Sequence, residues 1–89
     1  MTSVLIYTKQ TCPFCYRAKD LLDAKGVVFQ EVKIDYSPAL RQEMIELCGG
    51  YTVPQILIDE KPIGGCDELY ALDYKGKLNE MLNIQPENL

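Results

Sequence analysis

Cys12 and Cys15, separated by Pro13 and Phe14, are the residues of this chain best placed to do chemistry, because two thiols one turn apart can close into a disulfide and reopen. They follow the apolar run Val4-Leu5-Ile6-Tyr7, which reads as a strand feeding a loop and then a helix. At a helix N-terminus, unpaired amide N–H groups and the helix dipole favour a thiolate, the species that attacks disulfides. Cysteines of such motifs titrate from ~3.5 to ~7, against ~8.5 for a free thiol. Pro13 suits the first helical turn, where a missing N–H costs nothing, and it keeps Cys15 on the same face, one turn deeper. The chemistry is reversible thiol–disulfide exchange, with Cys12 as nucleophile and Cys15 able to close the disulfide.

A Cys-x-x-Cys pair can also be half of a zinc site. That reading needs a second pair at similar spacing, yet the chain has no histidine, and Cys48 and Cys66 stand singly. No metal site is expected. Two incidental cysteines are the remaining bland reading, and the strand-then-helix context disfavours it.

Positioning those thiols falls to a small chain. Its 89 residues, 47% of them hydrophobic, suffice for one domain spanning residues 1–89 with a core that needs no disulfide staples. No apolar leader or cleavage site follows Met1, so a cytoplasmic protein with reduced thiols is expected. No stretch approaches the ~18 apolar residues of a membrane span. The net charge of −4 argues against nucleic acid and requires a local positive pocket for any anionic ligand.

The hydrophobic pattern predicts a strand at Val4 to Thr8, a helix from Pro13 to Lys25 bearing Ala18, Leu21 and Leu22, and a second strand from Val28 to Asp35. Ser37 reads as an N-cap before Pro38, and Leu40, Met44, Leu47 and Cys48 share a helical stripe that Gly49-Gly50 ends, which makes Cys48 a core residue. Val53, Ile56 and Ile58 suit a buried strand, Asp59-Glu60-Lys61 a tight turn, and Pro62-Ile63 an edge strand. Asp67 is the expected N-cap of a helix through Leu69, Tyr70, Leu72 and Tyr74, followed by a last helical piece from Lys77 to Leu82 and a frayed tail from Asn83 to Leu89. The order is βαβαββα: a parallel βαβ unit with a right-handed crossover, then a hairpin and a covering helix, giving a four-stranded mixed sheet flanked by helices in an α/β fold.

Three motifs, in order and spacing, resemble those of the glutaredoxins, small enzymes of thioredoxin-like fold, and in particular the bacterial dithiol type. They are Tyr7-Thr8-Lys9 leading to Cys12-Pro13-Phe14-Cys15, then Thr52-Val53-Pro54, then Gly64-Gly65-Cys66-Asp67-Glu68. The likeness runs from about Val4 to Leu82. It implies a cis peptide bond before Pro54 and a co-substrate, glutathione, with no tightly bound cofactor. By the same resemblance, Thr52, Val53 and Pro54 align the glutathione sulfur with Cys12, and Gly65, Cys66, Asp67 and Glu68 receive its γ-glutamyl end. Lys9 and Arg41 match positions that contact the glycyl carboxylate, and Phe14 covers the site. Read without the resemblance, Gly64-Gly65 is a turn, Asp67 a cap, Lys9 and Arg41 surface charges, and Cys66 a small packed side chain.

The resemblance further implies electron transfer from glutathione to protein disulfides and protein–glutathione mixed disulfides, ribonucleotide reductase among the substrates, in a monomer serving cell redox homeostasis. It departs from the family pattern at Phe14, often tyrosine, and at Gly49-Gly50-Tyr51, where basic residues or threonine are common. Two other classes stay open: a thioredoxin-like carrier reduced by a flavoprotein reductase, which Gly64-Gly65-Cys66-Asp67 argues against, and an iron–sulfur cluster carrier, which Pro13 and Cys15 argue against.

Overall fold

A strand with alternating apolar residues buries two faces, and β1 (Val4–Thr8) does so at the centre of the fold. The computed structural model describes residues 2–84. After β1 come α1 (Pro13–Ala24), β2 (Gln30–Lys33), α2 (Pro38–Cys48), β3 (Gln55–Ile58), β4 (Lys61–Gly64), α3 (Cys66–Tyr74) and α4 (Lys77–Met81). The sheet order is β2-β1-β3-β4, with β1 parallel to β2 and antiparallel to β3, and β4 antiparallel to β3. This is the mixed four-stranded sheet that the sequence predicts.

Val4 and Ile6 of β1 join Ile56 and Ile58 of β3 in a core with Ala18, Leu22, Leu69, Leu78 and Leu82, so α1, α3 and α4 cover one face. Tyr7 and Leu57, one residue out of step, meet Ile34 and Met44 on the α2 face. Each fully buried aliphatic side chain contributes up to about 1.5–3 kcal/mol. The Tyr7 hydroxyl donates to Glu43 at 2.6 Å, so this buried phenol is satisfied and pins α2 to the sheet.

Capping explains most boundaries. The Ser37 hydroxyl accepts the Leu40 N–H at 3.3 Å, Pro38 occupies the first turn, and Gly49 ends α2 at φ 76°. Asp59 and Glu60, at φ 51° and 68°, form the left-handed turn whose twist suits a tight hairpin. Pro62 lies on the edge strand, beside a register shift in which Ile56 pairs with Gly64 but Leu57 with Pro62.

Several expectations need correction. Strand β2 is shorter than Val28–Asp35: Val27 and Phe29 point to the core while Val28 between them is 90% exposed, and Asp35 leaves the ladder to bind the Gln10 N–H. Strand β3 starts at Gln55, not Val53. In α2 the packed stripe is Leu40, Met44, Ile45 and Cys48, with Leu47 on its edge and 51% exposed, and Cys48 is half-buried. Helix α3 is capped at Gly65, not Asp67, because the Glu68 carboxylate accepts the Gly65 N–H at 2.8 Å and carries the helix start back two residues. Tyr74, about 140° around the helix from buried Leu69, is fully outside. Asn83 and Ile84 do not fray: their N–H groups donate to Glu80 and Asn79 carbonyls at 3.2 and 2.9 Å, and Ile84 packs on the core. The rest of the expected tail, residues 85–89, lies outside the described residues.

Candidate active site

Strand β1 ends at Thr8, and the loop Lys9–Thr11 delivers Cys12 to the N-cap of α1. Gln10 fixes that loop at both backbone atoms. Its N–H donates to the Asp35 carboxylate at 3.0 and 3.1 Å, and its carbonyl accepts the Tyr16 hydroxyl at 2.6 Å. Cys12 keeps extended backbone angles (φ −130°, ψ 101°), so its sulfur turns back over the first turn and accepts the Cys15 N–H at 3.2 Å. The thiol in turn donates to the Val53 carbonyl at 3.8 Å.

Depth separates the two sulfurs. Cys12 is 9% exposed and Cys15 only 1%. Burial pushes the Cys15 thiol up to about 12, and the hydrogen bond to Cys12 adds to this, while the Lys9 amide and the Lys19 charge work the other way. Cys15 is therefore held as the protonated, inner thiol. Cys12 is the one an incoming disulfide meets.

The Val53–Pro54 bond is cis, in line with the expectation. This loop borders a cleft of about 380 Å³ that also takes Phe14 from α1, and Gly65, Cys66, Asp67 and Glu68 from the start of α3. Two glycines allow that meeting. At Gly64 (φ 109°) a Cβ would lie 2.7 Å from Glu68 Cγ, and at Gly65 it would lie 3.0 Å from the Pro54 carbonyl oxygen. The close approach of α3 to the proline loop depends on having no side chain there. At the helix start, the amides of the first turn have no intrahelical acceptors, and Asp67 and Glu68 stand exposed beside them.

The structure thus brings together Phe14, Thr52, Val53, Pro54, Gly65, Cys66, Asp67 and Glu68. Lys9 and Arg41 do not line this cleft; they border a separate depression of about 450 Å³ with Ile34, Asp35, Tyr36, Ser37 and Pro38. Cys66 is buried in the core, and burial pushes its thiol up. Cys48, also pushed up by burial, packs on the α2 face.

Sequence reasoning missed several residues around the site. Gln55 is buried in the cleft wall, its amide donating to the Thr52 hydroxyl at 3.5 Å; a polar residue opening the run Ile56-Leu57-Ile58 was the available signal. Arg17 lies over the rings of Phe14 and Tyr70, with centroid distances of 5.9 and 5.6 Å, and nothing in its local pattern marks it. Fully buried Thr8 donates to Glu31 at 2.6 Å, and Lys19, four residues after Cys15 on α1, pairs with the same oxygen at 3.0 Å.

A strand–dithiol–helix unit whose outer sulfur faces a cis-proline loop defines a thiol–disulfide oxidoreductase of thioredoxin-like fold. The glutaredoxin family model matches residues 4–63. The chain is 60% identical over 82 residues to glutaredoxin 3 of Escherichia coli strain K12, covering 92% of this chain and 99% of that one. The solution structure of glutaredoxin from Brucella melitensis is similar at a TM-score of 0.82 and 49% identity, covering 94% of this chain and 91% of that one. The crystal structure of a buckwheat glutaredoxin–glutathione complex matches at a TM-score of 0.84 and 32% identity, over 92% of this chain and 77% of that one. The chain belongs to the glutaredoxin family and is an enzyme, a glutathione-dependent thiol–disulfide oxidoreductase of cell redox homeostasis. Among the described residues, no helix is long and apolar enough to cross a membrane.

Proposed function

We propose that this enzyme, working as one domain of residues 1–89, reduces protein disulfides and protein–glutathione mixed disulfides, using glutathione as co-substrate and no tightly bound cofactor. The observation that carries the reading is the Cys12 sulfur, the shallower of the two thiols, bonded to the Val53 carbonyl at 3.8 Å in the loop that walls the cleft together with the start of α3. The buckwheat neighbour, a glutaredoxin–glutathione complex, supports the choice of ligand.

With a glutathionylated protein, the Cys12 thiolate attacks the glutathione sulfur and the protein thiolate leaves; a second glutathione then attacks the Cys12–glutathione disulfide, restoring Cys12 and releasing glutathione disulfide. Cys15 is not needed. With a protein disulfide, Cys12 forms a mixed disulfide with the substrate, Cys15 attacks Cys12, and the internal disulfide is reduced by two glutathione molecules. Families of this kind work at about −200 to −230 mV, near the glutathione poise, so the direction follows glutathione status.

The Val53 backbone offers the ligand's cysteinyl unit strand-like hydrogen bonds, and Thr52 and Pro54 flank it. First-turn amides at Cys66 and Asp67 suit the γ-glutamyl carboxylate, and the Asp67 carboxylate suits the ammonium. Glu68, one oxygen of which already holds the Gly65 N–H, keeps the other for that ammonium. Phe14, 52% exposed, covers the cleft, while Lys9 and Arg41, in the separate depression, provide cations for the glycyl carboxylate. Ribonucleotide reductase is among the substrates we propose, with the protein acting as a cytoplasmic monomer that needs neither membrane nor nucleic acid.

An assay of glutathionylated peptide coupled to glutathione and glutathione reductase tests this reading. Turnover should be supported there and vanish in Cys12→Ser. Turnover driven instead by thioredoxin reductase without glutathione would overturn it, as would a brown, visibly absorbing protein after anaerobic purification with no activity.

A further inference from the structure

We propose that Lys19, held in place by Glu31 and Tyr16, is a positioning residue for the second half of the dithiol cycle: its ammonium is the charge that the inner sulfur, Cys15, meets when it becomes the nucleophile. The proposal rests on the reading of Cys15 as the resolving thiol. Lys19 follows Cys15 by four residues on α1, so both lie on one helix face. Its ammonium cannot wander. It pairs with Glu31 Oε2 at 3.0 Å and lies 4.8 Å from the centroid of the Tyr16 ring. The same Glu31 oxygen accepts the hydroxyl of Thr8, which has no exposure to solvent and ends β1 just before the dithiol loop.

One carboxylate therefore fixes two things: the cation one turn along α1 from Cys15, and the end of β1 that leads into the dithiol loop. Cys15 is buried, and as resolving thiol it must give its proton to water before it attacks the Cys12 sulfur of a mixed disulfide, the departing thiolate taking a proton back from solvent. The S–S bond to the leaving group then breaks, a Cys12–Cys15 bond forms, and the substrate departs as a thiolate. The charged or titratable groups facing this event are Cys12, Tyr16 and Lys19 from α1 and its cap, with Glu31 and Lys33 from β2. Of the two cations, Lys19 shares the α1 face with Cys15, whereas Lys33 lies on β2 with Glu31. In this proposal a Cys15 thiolate is favoured by Lys19 on its own helix face, whereas Cys12 has its own donor in the Cys15 amide at 3.2 Å. The arrangement separates the needs of the two sulfurs.

The test is single-turnover reaction of the reduced protein with glutathione disulfide, quenched with acid and read by mass. The Cys12–glutathione adduct and the later loss of glutathione are then separate steps. In Lys19→Met the second step should slow about tenfold at neutral pH and its pH profile should move up by about one unit, the equivalent of a tenfold loss of thiolate. Adduct formation should stay within about twofold, and Lys19→Arg should restore the profile. An unmoved pH profile, an equal slowing of both steps, or failure of Lys19→Arg to restore would each overturn the proposal. A Cys15→Ser protein that still loses its glutathione without added thiol would instead overturn the resolving role itself, and the Lys19 proposal with it.

Discussion

The Cys12 sulfur is held between two backbone groups, the Cys15 N–H at 3.2 Å that donates to it and the Val53 carbonyl at 3.8 Å that accepts from it. The first contact is local, made within a single helical turn. The second spans 41 residues of sequence and exists only because β1 and β3 are sheet neighbours. Nucleophile and ligand loop are thus joined through the strand pairing.

Depth dictates the outcome of removing the inner thiol. Cys15→Ser should retain reduction of a glutathionylated peptide within about threefold, because the Cys15 amide still serves Cys12 and no resolving step is required. Reduction of a protein disulfide should fall at least about a hundredfold. Parallel assays on the two substrates check this, and equal losses would contradict the separation of roles.

Cys15 also shapes alkaline stability. Its folded value, pushed up to about 12 mainly by burial, lies above the ~8.5 of an unfolded thiol, so it contributes stability that is complete below about pH 8.5 and is lost as pH rises toward 12. Denaturant midpoints of the reduced protein should therefore fall less between pH 8 and pH 11 in Cys15→Ser than in the parent.

Glu31 acts at the other end of the pH scale. Burial opposes its charge, but hydrogen bonds from Thr8 and Lys19 outweigh that and hold its carboxyl below the usual range. A depressed folded value gives stability that is present above the unfolded value of ~4.3 and disappears as pH falls through the folded one. Glu31→Gln should accordingly be less stable than the parent at pH 7, with the difference shrinking below about pH 4 in thermal melts.

Asp67 sits one residue inside α3 rather than at its cap, so its loss should be felt by ligand more than by the helix. Asp67→Ala should raise KM for glutathionylated peptide by about tenfold, the worth of a charged hydrogen bond, while moving Tm by only a degree or two. A large fall in Tm with unchanged KM would assign it a structural role.

Gly64 tolerates no side chain. Gly64→Ala meets both a left-handed φ of 109° and a 2.7 Å encounter with Glu68 Cγ, which displaces the carboxylate that caps α3. Stability should drop by roughly 2–3 kcal/mol in urea unfolding, and KM should rise as the cleft wall moves.

Local signals wrote much of this fold. Ser37-Pro38 opens α2 and Gly49 closes it, Asp59-Glu60 makes the hairpin, and Cys12 takes the N-cap, all from interactions within a few residues. Where a distant partner intervenes, the local reading fails. Asp67 has good cap chemistry, yet Glu68 reaching back to Gly65 moves the helix start. Val28 is as apolar as its neighbours but turns outward, while Val27 and Phe29 on either side pack against the core.

The sequence by itself determined the chemistry, because disulfide exchange is written in residue types and short spacings: two thiols one turn apart, a proline between them and a helix to follow. It also marked the three segments that form the site. Only the tertiary structure brought the start of α3 so close to the proline loop that a Cβ on Gly65 would lie 3.0 Å from the Pro54 carbonyl oxygen, and set Thr8 and Lys19 on one oxygen of Glu31. Burial and contact between segments far apart in the chain depend on how strands pair and helices pack on them, and no local pattern encodes that distance.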